Sequence, residues 1–416
     1  MTGITYEDFL DESYDPAPSD LVCTFYVRPA ADMTMAAAAS RVASESSNGT
    51  WAELQVDGEV TDLSATAFEI EESGRVRVAY PNELFEGGNM AQVLSCIAGN
   101  ILGMKAVERI RLLDCAWPEP LTTSFPGPQF GSSVREEIFD AGDRPILATV
   151  PKPKVGLTTD QHARIGYEAW VGGIDLLKDD ENLTDQSFNP FHDRLTESLA
   201  ARDRAEEETG ERKSYLVNVT AETMEMLDRV DAVADAGGEY VMVDVVTTGW
   251  SAVQSVRKRC ERHGLAIHAH RAMHAAFDRI EDHGVSMRVI AQIARLCGVD
   301  QIHTGTADLG KLENEDSAGI NEWLSSDLHG LNDVLPTASG GLHPGLVPEL
   351  LDRLGTNLCV QAGGGVHGHP DGTAAGARAF RQAVDAALAG TSLEEYATDH
   401  EELRVAVEKW GTETPR

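Results

Sequence analysis

From residue 146 onward, short runs of aliphatic and β-branched residues recur along the chain. They fall at Ile146–Lys152, Gly173–Asp180, Ser214–Thr220 and Tyr240–Val246, then at Leu265–Arg271, Asp300–Thr306, Val334–Gly341 and Asn357–Gly363. Between them lie stretches with apolar residues at helical spacing, among them Asp160–Trp170, Ala221–Ala236, Ser251–His263 and Ala275–Leu296. Near-continuous apolar runs are what strands buried on both faces require. Strand–helix units repeated in this way predict a (β/α)8 barrel of about 250 residues, with any active site at the C-terminal ends of the strands. A doubly wound open sheet is the alternative, and the lack of a Gly-x-Gly-x-x-Gly turn after the first run counts against it.

The earlier part of the chain reads differently. Strand-like runs (Leu21–Val27, Trp51–Val56, Arg75–Ala79) interleave with helical ones (Met33–Ser44, Asn89–Gly99), as in an α+β domain. Pro118, Pro120, Pro126 and Pro128 punctuate the chain after it. Two domains are expected, residues 1–125 and 126–416.

Composition narrows the function. With 42% apolar residues the chain is globular, and a net charge of −34 argues against binding nucleic-acid phosphates or an anionic membrane surface. The acid excess is spread along the chain instead of forming a tail, as on a surface solvated for high salt, and a halophilic source is expected. Resistance to denaturation should then rise with KCl; full stability in dilute buffer would count against it. The six cysteines show no CxxC spacing and read as reduced thiols. No apolar run reaches the roughly 18 residues of a membrane span, and the N-terminus is acidic, so a cytoplasmic, untargeted protein is expected.

Lysine is scarce: only Lys105, Lys152, Lys154, Lys178, Lys213, Lys258, Lys311 and Lys409 occur. Where arginine supplies most of the positive charge, a retained lysine suggests a need for an amine that can lose its proton. Four of these lysines fall at predicted strand ends or in the loops that follow. The first run ends in Lys152-Pro153-Lys154 and the second in Lys178, Asp179, Asp180 and Glu181. Asn218 and Asp244 lie on the third and fourth, and the fifth ends in His268-Ala269-His270-Arg271. His303 lies on the sixth, whose loop continues to Lys311. Ser339-Gly340-Gly341 and Gly363-Gly364-Gly365 close the last two. Taken alone, Gly172–Asn182 fits a solvated acidic turn as well as a divalent-cation site with oxygen ligands suited to Mg²⁺. Reactive side chains on one face of a barrel favour the second. Glycine pairs after the last two strands suit a phosphate cradle of backbone N–H groups, and Arg271 with His303 suits a second phosphate. Asp179–Asn182 lacks the glycine of an EF-hand loop, and His367 and His369 read as structural.

These motifs carry a specific resemblance. Lys152-Pro153-Lys154, Gly173–Glu181, His268–His274, His303–Lys311 and Ser339-Gly340-Gly341, together with Glu45–Trp51 and Gly99-Asn100 earlier in the chain, resemble the large subunit of ribulose-1,5-bisphosphate carboxylase/oxygenase (Rubisco). Val150–Lys154 and the loop Gly305–Lys311, one residue longer before its lysine, look like the archaeal form III branch. The resemblance implies a (β/α)8 TIM barrel preceded by a smaller α+β, ferredoxin-like domain. It implies carboxylation of ribulose 1,5-bisphosphate to two 3-phosphoglycerates, with O₂ competing, in a context of nucleotide (AMP) salvage. Lys178 would add CO₂ as a carbamate and, with Asp180 and Glu181, hold Mg²⁺, leaving Asp179 a neighbour. Lys152 would move protons at the substrate carbons, His270 would assist, and Lys311 would steady the new carboxylate. Thr50, Trp51, Gly341, Gly363 and Gly364 would bind one phosphate; Arg271, His303 and Ser339 would bind the other, with Lys154 and Gly340 beside the substrate. Glu45, Thr50, Trp51 and Asn100 would arrive from a second copy, so a homodimer or an assembly of dimers is implied.

Two rivals share the fold: a Rubisco-like enolase or isomerase that fixes no CO₂, and a non-catalytic partner subunit. Retention of Lys311, Arg271, His303 and Ser339 disfavours the first. An intact lysine–carboxylate set in a lysine-poor chain disfavours the second.

Overall fold

The computed structural model describes residues 2–50, 54–56, 58–310 and 316–414. They form two compact units. One comprises Met1–Gly127 with Met273–Cys297 and Leu328–Leu331; the other comprises Pro128–Ala272, Gly298–Asp327 and Asn332–Arg416.

The first unit carries β1 (Thr2–Ile4), β2 (Leu21–Pro29), β3 (Leu54–Val56), β4 (Thr66–Ile70), β5 (Arg75–Tyr80) and β6 (Val107–Ala116). β1 and β3 form a small antiparallel pair. The larger sheet runs β6-β2-β5-β4, antiparallel throughout, and a short strand at Gly284–Val285 extends it beyond β6 in parallel. Helix Met35–Glu45 begins at an N-cap threonine, Thr34, whose hydroxyl accepts from Ala37 N at 3.2 Å. It buries Ala38, Ala39, Val42 and Ala43, small side chains that let a helix approach a sheet closely.

Where the sequence pattern placed one long barrel helix at Ala275–Leu296, the chain instead forms a short helix (Ala275–Asp278), the Gly284–Val285 strand and helix Met287–Cys297, all in the first unit. Val289, Ile290, Ala291, Ile293, Ala294 and Leu296 are buried, and so are Gln292 and Arg295, so this last helix is enclosed on its polar side as well as its apolar one. Gln292 ties it to β6 through Asp114 Oδ1 (2.7 Å) and Cys115 O (3.2 Å).

The second unit is a closed parallel barrel: β7 (Ile146–Thr149), β8 (Leu176–Lys178), β9 (Ser214–Asn218), β10 (Tyr240–Asp244), β11 (Ala266–His270), then, numbering Gly284–Val285 as β12, β13 (Gln301–His303), β14 (Leu335–Ser339) and β15 (Cys359–Ala362), which pairs back onto β7. Side chains alternate along these strands. Ile146, Ala148, Leu176, Leu216, Tyr240, Met242, Ala266, Leu335 and Cys359 pack in one apolar cluster with Val134 and Phe139. Two residues further along the same register come Lys178, Asn218, Asp244, His268, Thr337 and Gln361. A period of two therefore turns an apolar floor into a polar mouth within one strand length.

Asp300 ties the floor. Its buried carboxylate accepts from Phe130 N (2.6 Å), Gly131 N (2.9 Å) and Ile267 N (2.7 Å). Burial pushes this carboxyl above its ordinary range, against the pull of those N–H groups. Asp300→Ala would strand all three donors and should lower unfolding free energy by about 3 kcal/mol or more, measured by denaturant titration. Asp300→Asn, which keeps one acceptor oxygen, should lose less; equal losses would show that the bonds contribute little.

Candidate active site

The polar mouth of the barrel gathers most of the predicted residues. Lys178 ends β8 almost fully buried, its Nζ donating to Asp179 O at 2.8 Å and standing 3.9 Å from Glu181 Oε2. Burial lowers the pKa of this amine below the ordinary lysine value, and the surrounding carboxylates only partly offset it. Asp180 Oδ2 lies 3.3 Å from Lys152 Nζ, and its Oδ1 accepts from Asn182 Nδ2 at 3.0 Å. Glu181 reaches Lys154 Nζ (3.8 Å) and His270 Nε2 (3.6 Å). Burial alone would raise its pKa, but His270, Lys178 and Lys154 together hold it below the usual carboxylate range. Among the described residues no group of three or more His, Cys, Asp or Glu side chains is arranged to hold a metal. Just past β8, Asp180 and Glu181 set two carboxylates beside the Lys178 amine.

Opposite them, His270 Nδ1 pairs with Asp244 Oδ1 at 2.7 Å. His303 is bonded on both ring nitrogens, Nε2 to His268 Nε2 (2.9 Å) and Nδ1 to Ser339 Oγ (2.8 Å). Burial, then neighbouring histidines and Lys178, hold His268 and His303 well below the ordinary imidazole value, so both are neutral. Any grip His303 has on an anion is therefore that of a neutral ring already engaged within the protein, and Arg271 carries the charge. The glycine turns follow. Gly340 and Gly341 adopt φ of 113° and 89°, which only glycine takes without strain. A Cβ on Gly363 would stand 2.7 Å from Lys152 Cε, so this glycine leaves room for the lysine beside the second turn. Gly310, in the connection after β13, lies against Gly340, where a Cβ would come 2.3 Å from Gly340 O.

Two family models match the chain: the ribulose bisphosphate carboxylase large chain catalytic domain over residues 131–410, and its N-terminal domain over residues 8–121. The chain belongs to the Rubisco large-chain family. It is 50% identical to the ribulose bisphosphate carboxylase of Pyrococcus furiosus, over 99% of each chain, and 45% identical to that of Methanosarcina barkeri, over 97% of this chain and 99% of the other. Among solved structures, octameric Rubisco from Pyrococcus horikoshii matches with TM-score 0.95 and 47% identity over 99% of this chain and 98% of that one. The dimeric archaeal Rubisco from Hyperthermus butylicus matches with TM-score 0.92 and 46% identity over 98% and 99%.

Within this Rubisco chain, Glu45, Thr50 and Asn100 belong to the first unit, where Asn100 Nδ2 donates to the exposed Glu45 Oε1 at 3.2 Å. Trp51 and Lys311 lie outside the described residues. Two residues named at the strand ends but given no role from the sequence stand out: Asp244, the partner of His270, and His268, the partner of His303. Both were legible as the polar continuation of the inward register on β10 and β11.

His367, read as structural, sits between Thr149 Oγ1 (3.0 Å) and Thr373 Oγ1 (3.2 Å), and burial pushes it down to about 4. Three buried neutral histidines make the folded state bind fewer protons than the unfolded one below the ordinary histidine value of about 6.5. Stability should therefore fall as pH drops from there toward 4. His367→Gln should flatten the plot of unfolding free energy against pH by up to about 1.4 kcal/mol per unit in that window; an unchanged slope would mean His367 does not titrate there.

Proposed function

We propose that this protein carboxylates ribulose 1,5-bisphosphate, yielding two 3-phosphoglycerates, with O₂ as a competing substrate. The observation that carries this is the buried amine of Lys178, its pKa lowered, beside the carboxylates of Asp180 and Glu181. The neutral amine attacks the carbon of CO₂, a C–N bond forms, and one proton leaves to solvent. The nitrogen then carries a carboxylate that, with Asp180 and Glu181, would hold Mg²⁺. Bound Mg²⁺ supplies Lewis-acid polarisation of the substrate's carbonyl and hydroxyl oxygens.

The chain's own residues do the rest. Lys152 accepts the C3 proton of the substrate, giving an enediol whose C2 forms the new bond to CO₂. Water adds at C3, assisted by His270 oriented by Asp244; the C2–C3 bond breaks, the C3 side leaves as one 3-phosphoglycerate, and the C2 carbanion takes a proton back from Lys152 to give the other. Lys311 would steady the new carboxylate. Gly340, Gly341, Gly363 and Gly364 offer backbone N–H groups to one phosphate, with Thr50 and Trp51; Arg271, Ser339 and His303 take the other, and Lys154 adds charge at the rim. Thr50, Trp51, Asn100 and Glu45 serve the site of a second copy, in a homodimer or a larger assembly of dimers, as in the dimeric and octameric relatives.

The test is incorporation of labelled CO₂ into 3-phosphoglycerate by purified protein with ribulose 1,5-bisphosphate, Mg²⁺, bicarbonate and high KCl. Enolisation of the substrate without incorporation would sink the proposal.

A further inference from the structure

β8 and β9 pair in parallel through Leu176↔Ser214, Leu177↔Tyr215 and Lys178↔Leu216. Ser214 N donates to Asp175 O at 2.9 Å, and Asp179 N donates to Leu216 O at 3.0 Å. In a regular parallel ladder the next bond returns from the partner strand, two residues on, to the carbonyl of the residue that has just donated. That bond would run from Asn218 N to Asp179 O. Instead, Asn218 N donates to the side chain, Asp179 Oδ2, at 3.0 Å, and Asp179 O accepts from Lys178 Nζ at 2.8 Å. The carboxylate has taken its own carbonyl's place in the ladder, and the released carbonyl faces the amine.

The carboxylate is held to this task from every side. Asp179 is fully buried, as are Arg194 and, within a percent of exposure, Tyr215 and His162. Arg194 Nε donates to Oδ2 at 3.1 Å, Tyr215 OH donates to Oδ1 at 2.7 Å, and His162 Nε2 lies 3.2 Å from Oδ1. Arg194 is itself fixed through Asn189 O (2.7 Å) and Thr184 O (2.6 Å) in the segment after the acidic turn. A carboxylate so placed has no rotation available that would return Asn218 N to the main chain.

Resting on the proposal that Lys178 takes up CO₂, we infer that Asp179 is a positioning residue for the Lys178 amine. By replacing its own carbonyl in the β8–β9 ladder, it frees that carbonyl to hold Nζ at the barrel mouth beside Glu181. The nitrogen keeps one hydrogen after the carbamate forms, so the same carbonyl can hold it before and after the reaction.

Two variants separate this role from that of a buried ion pair serving stability alone. Asp179→Asn keeps an oxygen for Asn218 N but leaves Arg194 buried without its counter-charge, so it should be the less stable. The double variant Asp179→Ala with Arg194→Met removes both charges and the substitute acceptor, returning Asn218 N to the main-chain carbonyl. Carbamate formation is read directly by ¹³C NMR of the folded protein titrated with ¹³CO₂, without turnover. Asp179→Asn should titrate within about twofold of the wild type. The double variant should need about tenfold more CO₂, the worth of one hydrogen bond. Stability and carbamate formation would thus rank the variants in opposite orders. A double variant with the wild-type CO₂ dependence would overturn the inference alone, as would Asp179→Asn titrating no better than the double variant. A wild-type protein with no carbamate signal would overturn the carbamate proposal as well.

Discussion

Lys178→Arg should lose carboxylation by about 10³-fold or more, and with it all activation by pre-incubation with CO₂ and Mg²⁺. Arginine keeps the positive charge and most of the length but stays protonated and cannot carry a carbamate. The substitution therefore separates two roles that an alanine would confound. If the ammonium charge between Asp180 and Glu181 were what mattered, arginine would preserve function and methionine would not. If the residue supplies the missing oxygen ligand, both fail equally. Burial of Lys178 makes the distinction sharp, because an enclosed amine is pushed toward the neutral form that reacts with CO₂. Denaturation curves for both variants would establish that they fold, and measurable CO₂-activated turnover by Lys178→Arg would exclude the carbamate role.

That Lys178 was legible from sequence owes more to rarity than to its motif. Acidic turns are common in a chain of net charge −34, and the carboxylates alone could have been surface. The barrel was legible because strands buried on both faces are written as unbroken apolar runs. Their ends were read too long: Ile146–Lys152 pairs only through Thr149, and Gly173–Asp180 only over Leu176–Lys178. Polar residues at the mouth continue the extended chain after the ladder stops. In the first unit the short strands β1 and β12 and the longer β4 and β6 were missed. Thr66–Ile70 and Val107–Ala116 mix polar and apolar residues without a regular period of two, and β6 places Glu108, Arg109, Arg111 and Asp114 among its apolar positions. On β6 some of those charges have partners distant in sequence: Asp114 meets Arg288 at 3.0 Å, and Arg109 meets Asp282 at 3.5 Å. A linear pattern cannot show that. The same limit hid the His268–His303 contact, made across strands 35 residues apart, and the Asp179–Arg194 pair, made between a strand end and the helix that follows it.

Lys152→Met should lower carboxylation by about 10²- to 10⁴-fold, the usual worth of a positioned proton-transfer group. The lysine stands at the end of β7 with about a third of its side chain exposed, 3.3 Å from Asp180 Oδ2 and packed against Gly363. It therefore touches both the carboxylate turn and the glycine turn, between which a bisphosphate's reacting carbons would lie. Methionine preserves the contact with Gly363 while removing the base. Solvent deuterium should then cease to exchange into C3 of ribulose 1,5-bisphosphate, although Lys178 still takes up ¹³CO₂. Lys154→Met, which removes a more exposed amine 3.8 Å from Glu181, should instead raise KM with a smaller effect on kcat, as expected when charge is lost at the rim rather than at the reacting carbon. Continued C3 exchange in Lys152→Met would move the proton-transfer role to another group. His270, held by Asp244 at 2.7 Å and 3.6 Å from Glu181, would then be the next to replace.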